Sequence, residues 1–385
     1  MGFIRVGSLT LLAALSAALL TGCWSKFELP ERAFVMGVAL DQREDGKIEM
    51  LTQVYRPSST EIGKSTSTVA ESSVNVKTVD DTVMEAIRDI PIHLGRKAQW
   101  SHMRIIIVGE KLARSTNILQ TLDLFYRDHE PRDNVSLMIA NGKAAKLFEK
   151  KPMIEQTTSQ QFLRTGESSY RNAAKTLDTT LIDLMLRMKS VQTDAALAYV
   201  YEDPKSKETF SAAGLALFKK GVMKSVLPAS KVEGFLMLSN DYKAGVVEIR
   251  CPGTKLEKET AEVLSLHASL NPVVKGDDVS LGIRIQGQIT INEMKCTKIN
   301  TLQDEEAFVR KIEEAVKRQA AGTLDFLQKR QMDAIGLGNR IYRSDPKAWA
   351  RLQSNWSSRF AAIPYDIRVK IKLISGGTIS SKSMS

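Results

Sequence analysis

Apolar and polar positions alternate most strictly near the C-terminus. Val279, Leu281, Ile283, Ile285, Ile289 and Ile291 take the odd positions, with Gly287 as the one gap, and Ser280, Arg284, Gln286, Gln288 and Thr290 lie between them. A period of two puts one set on a buried face and the other in water, so this is a long half-buried strand, read as antiparallel. Ile367, Val369, Ile371 and Leu373 repeat the pattern around Arg368, Lys370 and Lys372. The two strands are expected to share one antiparallel sheet. Between them Phe308, Ile312, Val316, Leu324, Leu327 and Ile335 recur at helical spacing over 304–335, a helix expected to pack on the apolar face of that sheet. Asp304, Glu305 and Glu306 suit its N-terminal dipole, and Glu306–Arg310, Glu313–Lys317, Glu314–Arg318 and Asp325–Lys329 are i,i+4 pairs in the favourable order. Gly336 and Gly338 should end this helix. Asp345-Pro346 should start another as cap and first position, with Trp349, Leu352, Trp356 and Phe360 on its inward face.

Upstream the two periods mix. Residues 34–40 form an apolar strand, Asp45-Gly46 is a hairpin turn, and 47–55 return. Residues 58–73 hold nine Ser or Thr and read as a solvated loop or a weak edge hairpin. Asp80 can cap a helix carrying Val83, Ala86, Ile87 and Ile90. Strands at 104–108 and 135–140 alternate with helices around Ile118–Phe125 and at 144–148. A longer helix is expected over 172–189, and an extended segment at 195–201. This is a mixed N-terminal unit, 23–201. Polar residues 202–207, with Pro204, read as a boundary. A strand-rich middle unit, 207–262, would hold strands at 212–218, 222–227, 235–238 and 246–249. A helix near 257–270, stopped by Asn271-Pro272, leads into a C-terminal unit, 263–375. Residues 376–385 read as a disordered tail. The expected fold class is α+β and multi-domain: two to three mixed α/β units with antiparallel sheets and long packed helices.

The N-terminus follows a different logic. One arginine, Arg5, precedes fifteen uncharged residues, 6–20. That run is too short for a bilayer, which takes about 20 apolar residues, and fits the apolar region of a secretory signal. It ends in Leu20-Thr21-Gly22-Cys23, which resembles the lipobox of bacterial lipoproteins. The resemblance implies a leader over 1–22 and a diacylglyceryl group on the thiol of Cys23, the first residue after cleavage. Two acyl chains, at about 0.8 kcal/mol per buried CH2, anchor a protein stably where one chain is marginal.

Composition narrows the chemistry. Lys and Arg number 54 against 44 Asp and Glu, a charge of +10 over 385 residues, or +9 once Arg5 leaves with the leader. A basic body tethered to a membrane faces anionic head groups, although dispersed surface lysines also serve solubility alone. Three Cys exclude a disulfide scaffold and a cluster of zinc fingers, and 6% aromatics argue against a stacking platform for nucleic acid. His93, His102, His129 and His267 are scattered, with no pair at helical spacing and no H-E-x-x-H, so no metal site is expected. His129 sits in the charged stretch 127–133, a solvated helix end. No G-x-S-x-G elbow or P-loop is present, and Gly336-Leu337-Gly338 follows a helix rather than a strand, so it is no dinucleotide fingerprint. No catalytic residue and no cofactor are expected. Cys251 and Cys296 could pair in an oxidising compartment or stay as two small buried hydrophobes.

The C-terminal motif Asp333-Ala334-Ile335-Gly336-Leu337-Gly338, with Arg343, Pro346, Trp349 and Trp356, resembles the signature of the Ger(x)C family, lipoprotein C subunits of bacterial spore germinant receptors. Gly22-Cys23-Trp24, Glu28-Leu29 and Gly37-Val38-Ala39-Leu40-Asp41 resemble its mature N-terminus. His102 to Glu110, with Tyr126-Arg127-Asp128, resemble its first-domain core, and Gly214 to Phe218, with Gly221 and Leu227, the start of its second half. Ala39, where the family favours glycine, and Gln42-Arg43, in a turn usually acidic or lysine-rich, are departures. The resemblance implies a three-domain α+β lipoprotein on the outer face of the cell membrane, the spore inner membrane. Its partners would be integral-membrane A and B subunits, and its lipid site Cys23. The competing reading is an extracytoplasmic solute-binding lipoprotein of a transporter, which would need parallel βαβ lobes.

Overall fold

The β-branched runs of the first half pair into one sheet and the alternating strands of the second half into another. The computed structural model describes residues 31–56, 72–206, 209–254 and 256–375, with Gly7 besides. The leader, Cys23, Trp24, Glu28, Leu29, most of the Ser/Thr-rich stretch and residues 376–385 lie outside the described residues.

In chain order the elements are β1 (Arg32–Gln42), β2 (Ile48–Tyr55), β3 (Ser73–Asp80), α1 (Val83–Arg88), α2 (Ile90–Leu94), β4 (Lys97–Gln99), β5 (Ile105–Gly109), α3 (Glu110–Ser115), α4 (Ile118–Arg127), β6 (Ser136–Ala140), α5 (Ala144–Phe148), α6 (Thr158–Ala173), α7 (Leu181–Met188), β7 (Ala195–Glu202), β8 (Phe210–Lys219) and β9 (Val222–Leu227). There follow α8 (Ala229–Ser239), β10 (Gly245–Arg250), β11 (Lys258–Lys275), β12 (Asp278–Glu293), α9 (Leu302–Lys329), α10 (Leu337–Ser344), α11 (Pro346–Leu352), α12 (Trp356–Ala362) and β13 (Tyr365–Ser375).

The first sheet runs β3-β2-β1-β5-β6-β7-β8-β9, with β4 beside the start of β1. Its centre, β1-β5-β6-β7, is parallel, and antiparallel hairpins close both sides. One face packs Ile106, Val108, Leu137 and Leu197 against α4 and α7. The other packs Ile105, Ile107 and Met138 against Phe148 of α5 and Phe162 of α6. Both faces of the central strands are therefore covered, which is why 105–109 and 136–140 are buried throughout.

The second sheet runs β10-β11-β12-β13. Leu281, Ile283, Ile285 and Ile371 are buried, and Val369 is half-buried, against Phe308, Ile312 and Val316 of α9. The strands at 279–291 and 367–373 thus share a sheet under a long helix, as expected, but they pair in parallel, Ile283 opposite Ile367 and Ile285 opposite Val369. The helices α9 to α12 intervene and carry the chain back to the same end, which is what a parallel neighbour requires. Alternation reports which face is buried, not which way the strand runs.

Other expectations are corrected. Residues 257–270 are the long strand β11, not a helix, and Asn271-Pro272 lie inside it. Beside Pro272, β12 pairs on one side and β10 has already ended, so the missing N–H faces an open edge. Residues 235–238 belong to the helix α8. The expected helix 172–189 is two, α6 and α7, separated by Ala174 at φ 51° and by a capping box of Thr180 and Asp183. The stretch 207–262 forms no sheet of its own: β8 and β9 extend the first sheet and β10 begins the second. Helix α9 stops at Lys329, and Gly336 opens the next helix rather than closing this one. Of the i,i+4 pairs, Glu306–Arg310 and Glu314–Arg318 form. Glu313 instead accepts the Ile371 N–H at 2.9 Å and Asp325 the Tyr365 hydroxyl at 2.5 Å, both fastening α9 to β13.

Helix α8 joins the halves. It packs with Leu215 and Leu217 of β8, Leu266 of β11 and Leu324 of α9 in one core. At Gly234 a Cβ would run into the Gln319 carbonyl and the Thr323 hydroxyl, so glycine is what lets α8 and α9 approach. Beside it the buried Glu233 meets Lys175 and accepts from Gln319 Nε2 at 2.9 Å. Among the described residues no helix is long and apolar enough to cross a membrane.

Candidate functional site

A buried polar cluster lies where the two halves meet, around Asp333 in the turn between α9 and α10. Asp333 is 1% exposed. Its carboxylate accepts from Leu337 N–H and Gly338 N–H, both at 2.7 Å, and from the Trp356 indole N–H at 2.9 Å. The two amides are the first of α10, which lack partners within the helix. A carboxylate there also meets the positive end of the helix dipole. Gly336 enters α10 at φ 76°, a conformation that favours glycine. A Cβ on it would also collide with the guanidinium of Arg187.

The other half supplies the rest. Arg187, near the end of α7, donates from Nε to the Asp194 carbonyl at 2.6 Å and from Nη2 to the carbonyls of Asp333 and Ala334 at 3.1 and 3.0 Å. The Asp333 N–H donates to Asp194 Oδ2 at 2.9 Å. The amide of Asn339 clasps the backbone of Gln192, accepting its N–H at 3.0 Å and donating to its carbonyl at 2.9 Å. Two links sit further out, Lys219 to the Gln331 carbonyl and Arg330 to the Ser225 hydroxyl.

Burial pushes the Asp333 carboxyl up to about 6, against the pull of the Gly338 N–H, Arg187 and the Leu337 N–H. At neutral pH it is ionised and serves as an acceptor. Burial likewise raises Asp194, opposed by the Asp333 N–H, and lowers Arg187, whose nearest opposite charges are Asp333 and Asp194. Beneath lie Trp349 and Trp356, both buried, with ring centres 5.1 Å apart and edge to face. They are core, as their spacing implies. This arrangement can lock two halves together; none of its groups pairs a nucleophile with a base.

The same device recurs in the first half. Asp41 accepts from the Ala144 and Ala145 N–H groups at 2.9 and 2.8 Å, starting α5 from a distant strand. At Gly109 a Cβ would overlap the Asp41 carboxylate.

The residues singled out from sequence are not brought together. Cys23 lies outside the described residues. His102 packs edge-on to Phe34, His129 is 98% exposed at 3.7 Å from Asp128, and His93 and His267 are exposed on different elements. Cys251 and Cys296 form a disulfide with Cα atoms 5.8 Å apart, closing β10-β11-β12 at one end. Beside it the buried Glu259 accepts from the N–H groups of Lys295, Cys296 and Thr297 and from the Thr297 hydroxyl. Burial raises that carboxyl, but these donors outweigh it and leave it below the usual range. Arg187, Asp194, Gln192 and Asn339 carried no warning in the sequence, since their partners lie far along the chain.

Comparison with known proteins divides the chain near the β7–β8 turn, ahead of the last two strands of the first sheet. Residues 25–201 match the family model described as "Spore germination protein N-terminal domain", and 213–377 match "Spore germination B3/ GerAC like, C-terminal". Spore germination protein B3 of Bacillus subtilis is 26% identical, over 94% of this chain and 95% of its own. Spore germination protein KC of the same organism is 21% identical, over 95% of each. The crystal structure of the GerBC protein aligns with a TM-score of 0.55 at 20% identity, over 88% of this chain and 97% of its own, a likeness of fold. With both models matched in order along nearly the whole described chain, the protein belongs to the Ger(x)C family of spore germination proteins.

Proposed function

We propose that this chain is the lipid-anchored, non-catalytic subunit of a nutrient germinant receptor, held through Cys23 on the outer face of the spore inner membrane. Its role is in spore germination, and the observation that carries this is the ordered match of both family models, 25–201 and 213–377. The finer reading rests on the Leu20-Thr21-Gly22-Cys23 motif and on the family resemblance, which supplies two integral-membrane partners, the A and B subunits. Strand direction does not separate this reading from a solute-binding lipoprotein, because the centre of the first sheet is parallel; the family matches do. A protein that relays a signal between membrane partners needs a stiff body with exposed faces. The Asp333 joint supports that role by fixing one half on the other.

The test is made on spore membranes. Intact mass of the membrane-bound protein should show a diacylglyceryl group on Cys23, Cys23→Ala should release the chain to the soluble fraction, and the wild type should co-purify with two integral-membrane proteins. Unmodified Cys23 on membrane-bound protein, or purification with an ABC permease instead, contradicts the proposal.

A further inference from the structure

A pocket of about 450 Å3 opens at the joint, between α7, the end of α8 and the start of α10. Its walls carry three guanidinium groups, Arg187, Arg340 and Arg343. Arg187 donates from Nε and Nη2 to three carbonyls of the joint. Among the described residues neither the Arg340 nor the Arg343 guanidinium has a hydrogen-bond or ion-pair partner, although Arg340 is half-buried. Burial and the neighbouring charge of Arg343 both hold the Arg340 guanidinium below its ordinary range, with Asp333 as the opposing charge. The Asp333 carboxylate already accepts from three N–H donors. Two carboxylates also line the pocket, and both are engaged: Asp183 in the capping box with Thr180, and Asp241 with the Tyr170 hydroxyl at 2.6 Å and Lys243 at 3.0 Å.

The positions follow from the helix. Residues 340 and 343 are three apart on α10, so their side chains leave from one face. Two unspent planar forks on one face, inside a concavity of this size, match an oxyanion with two acceptor atoms. Arg340 and Arg343 repel one another, the opposing charge of Asp333 is already engaged with other donors, and a bound anion offsets the repulsion.

We infer that this pocket binds a small anion bearing a carboxylate or phosphate group, with Arg340 and Arg343 as its ligands. The inference does not depend on membrane attachment or on receptor partners, so its failure would leave the germination reading standing.

Isothermal titration calorimetry on the full chain in detergent, at fixed ionic strength, tests it with citrate, L-glutamate and inorganic phosphate as probes. Saturable one-site binding of at least one probe is expected. Arg340→Gln with Arg343→Gln should weaken it at least tenfold, and Arg318→Gln, an exposed arginine of α9, should leave it unchanged. Binding of citrate or glutamate without phosphate assigns a carboxylate, and the reverse assigns a phosphate. If the double variant loses its circular dichroism signature, Arg343→Gln alone, at an exposed position, must show the loss. No saturable binding of any probe, binding retained by the arginine variants, or an equal loss in Arg318→Gln overturns the inference.

Discussion

Asp333 concentrates the residue-scale chemistry. In the unfolded chain its carboxyl titrates near the ordinary 3.8, and in the folded chain near about 6. Between those values the folded protein keeps a proton that the unfolded chain has released. This residue's contribution to stability therefore falls as pH rises through that window and is flat above it. Asp194, also raised, acts in the same direction. Asp333→Asn should cost about 1–3 kcal/mol at neutral pH, because an amide cannot accept from all three donors, and should flatten the stability profile between about pH 4 and 6. Urea melts across that range check both. The two tryptophans make a paired test. Trp356→Phe strips Asp333 of a donor at 2.9 Å, whereas the Trp349 indole N–H has no partner among the described residues. Trp356→Phe should therefore be the costlier by about 1 kcal/mol or more, and equal losses in thermal melts would contradict the network. Little of this was legible in sequence. Hydrophobic spacing placed the tryptophans inward, but the Asp194 partner of Asp333 lies 139 residues away.

At the scale of elements, the misreadings have physical causes. In β11 the buried apolar residues are Ala261, Val263, Leu266, Ala268 and Leu270. A bulge between Val263 and Ser265 breaks the period of two and leaves a step of three that imitates a helix. Helix α8 fails in the opposite way. Every residue from Val232 to Leu238 is buried between the sheets, so no polar face marks the period. Gly234→Ala should cost about 1–3 kcal/mol by forcing α8 from α9, and a variant as stable as wild type in denaturant melts would argue against this packing. The disulfide closes a 45-residue separation, so replacing both Cys251 and Cys296 by Ser should cost about 2–4 kcal/mol. A midpoint unchanged between oxidised and reduced wild type would contradict it. Glu259 works beside it with the opposite pH sign to Asp333: its carboxyl is lowered, so its contribution is present at neutral pH and lost in acid.

For the whole molecule, periodicity was enough to give the α+β class and the long helix over a half-buried sheet. It could not give strand direction, which the crossover helices set, nor the division of the middle segment between two sheets, which depends on pairings far apart in sequence. The central claim is a role in nutrient sensing at the spore membrane, and the most direct measurement is the germination of spores that lack this protein. The account predicts loss of the response to one class of nutrient, restored by the wild-type chain and not by Cys23→Ala. Responses through other receptors, and germination by agents that bypass receptors, should persist. Unchanged responses to every nutrient, in spores without a paralogous subunit to compensate, would contradict it.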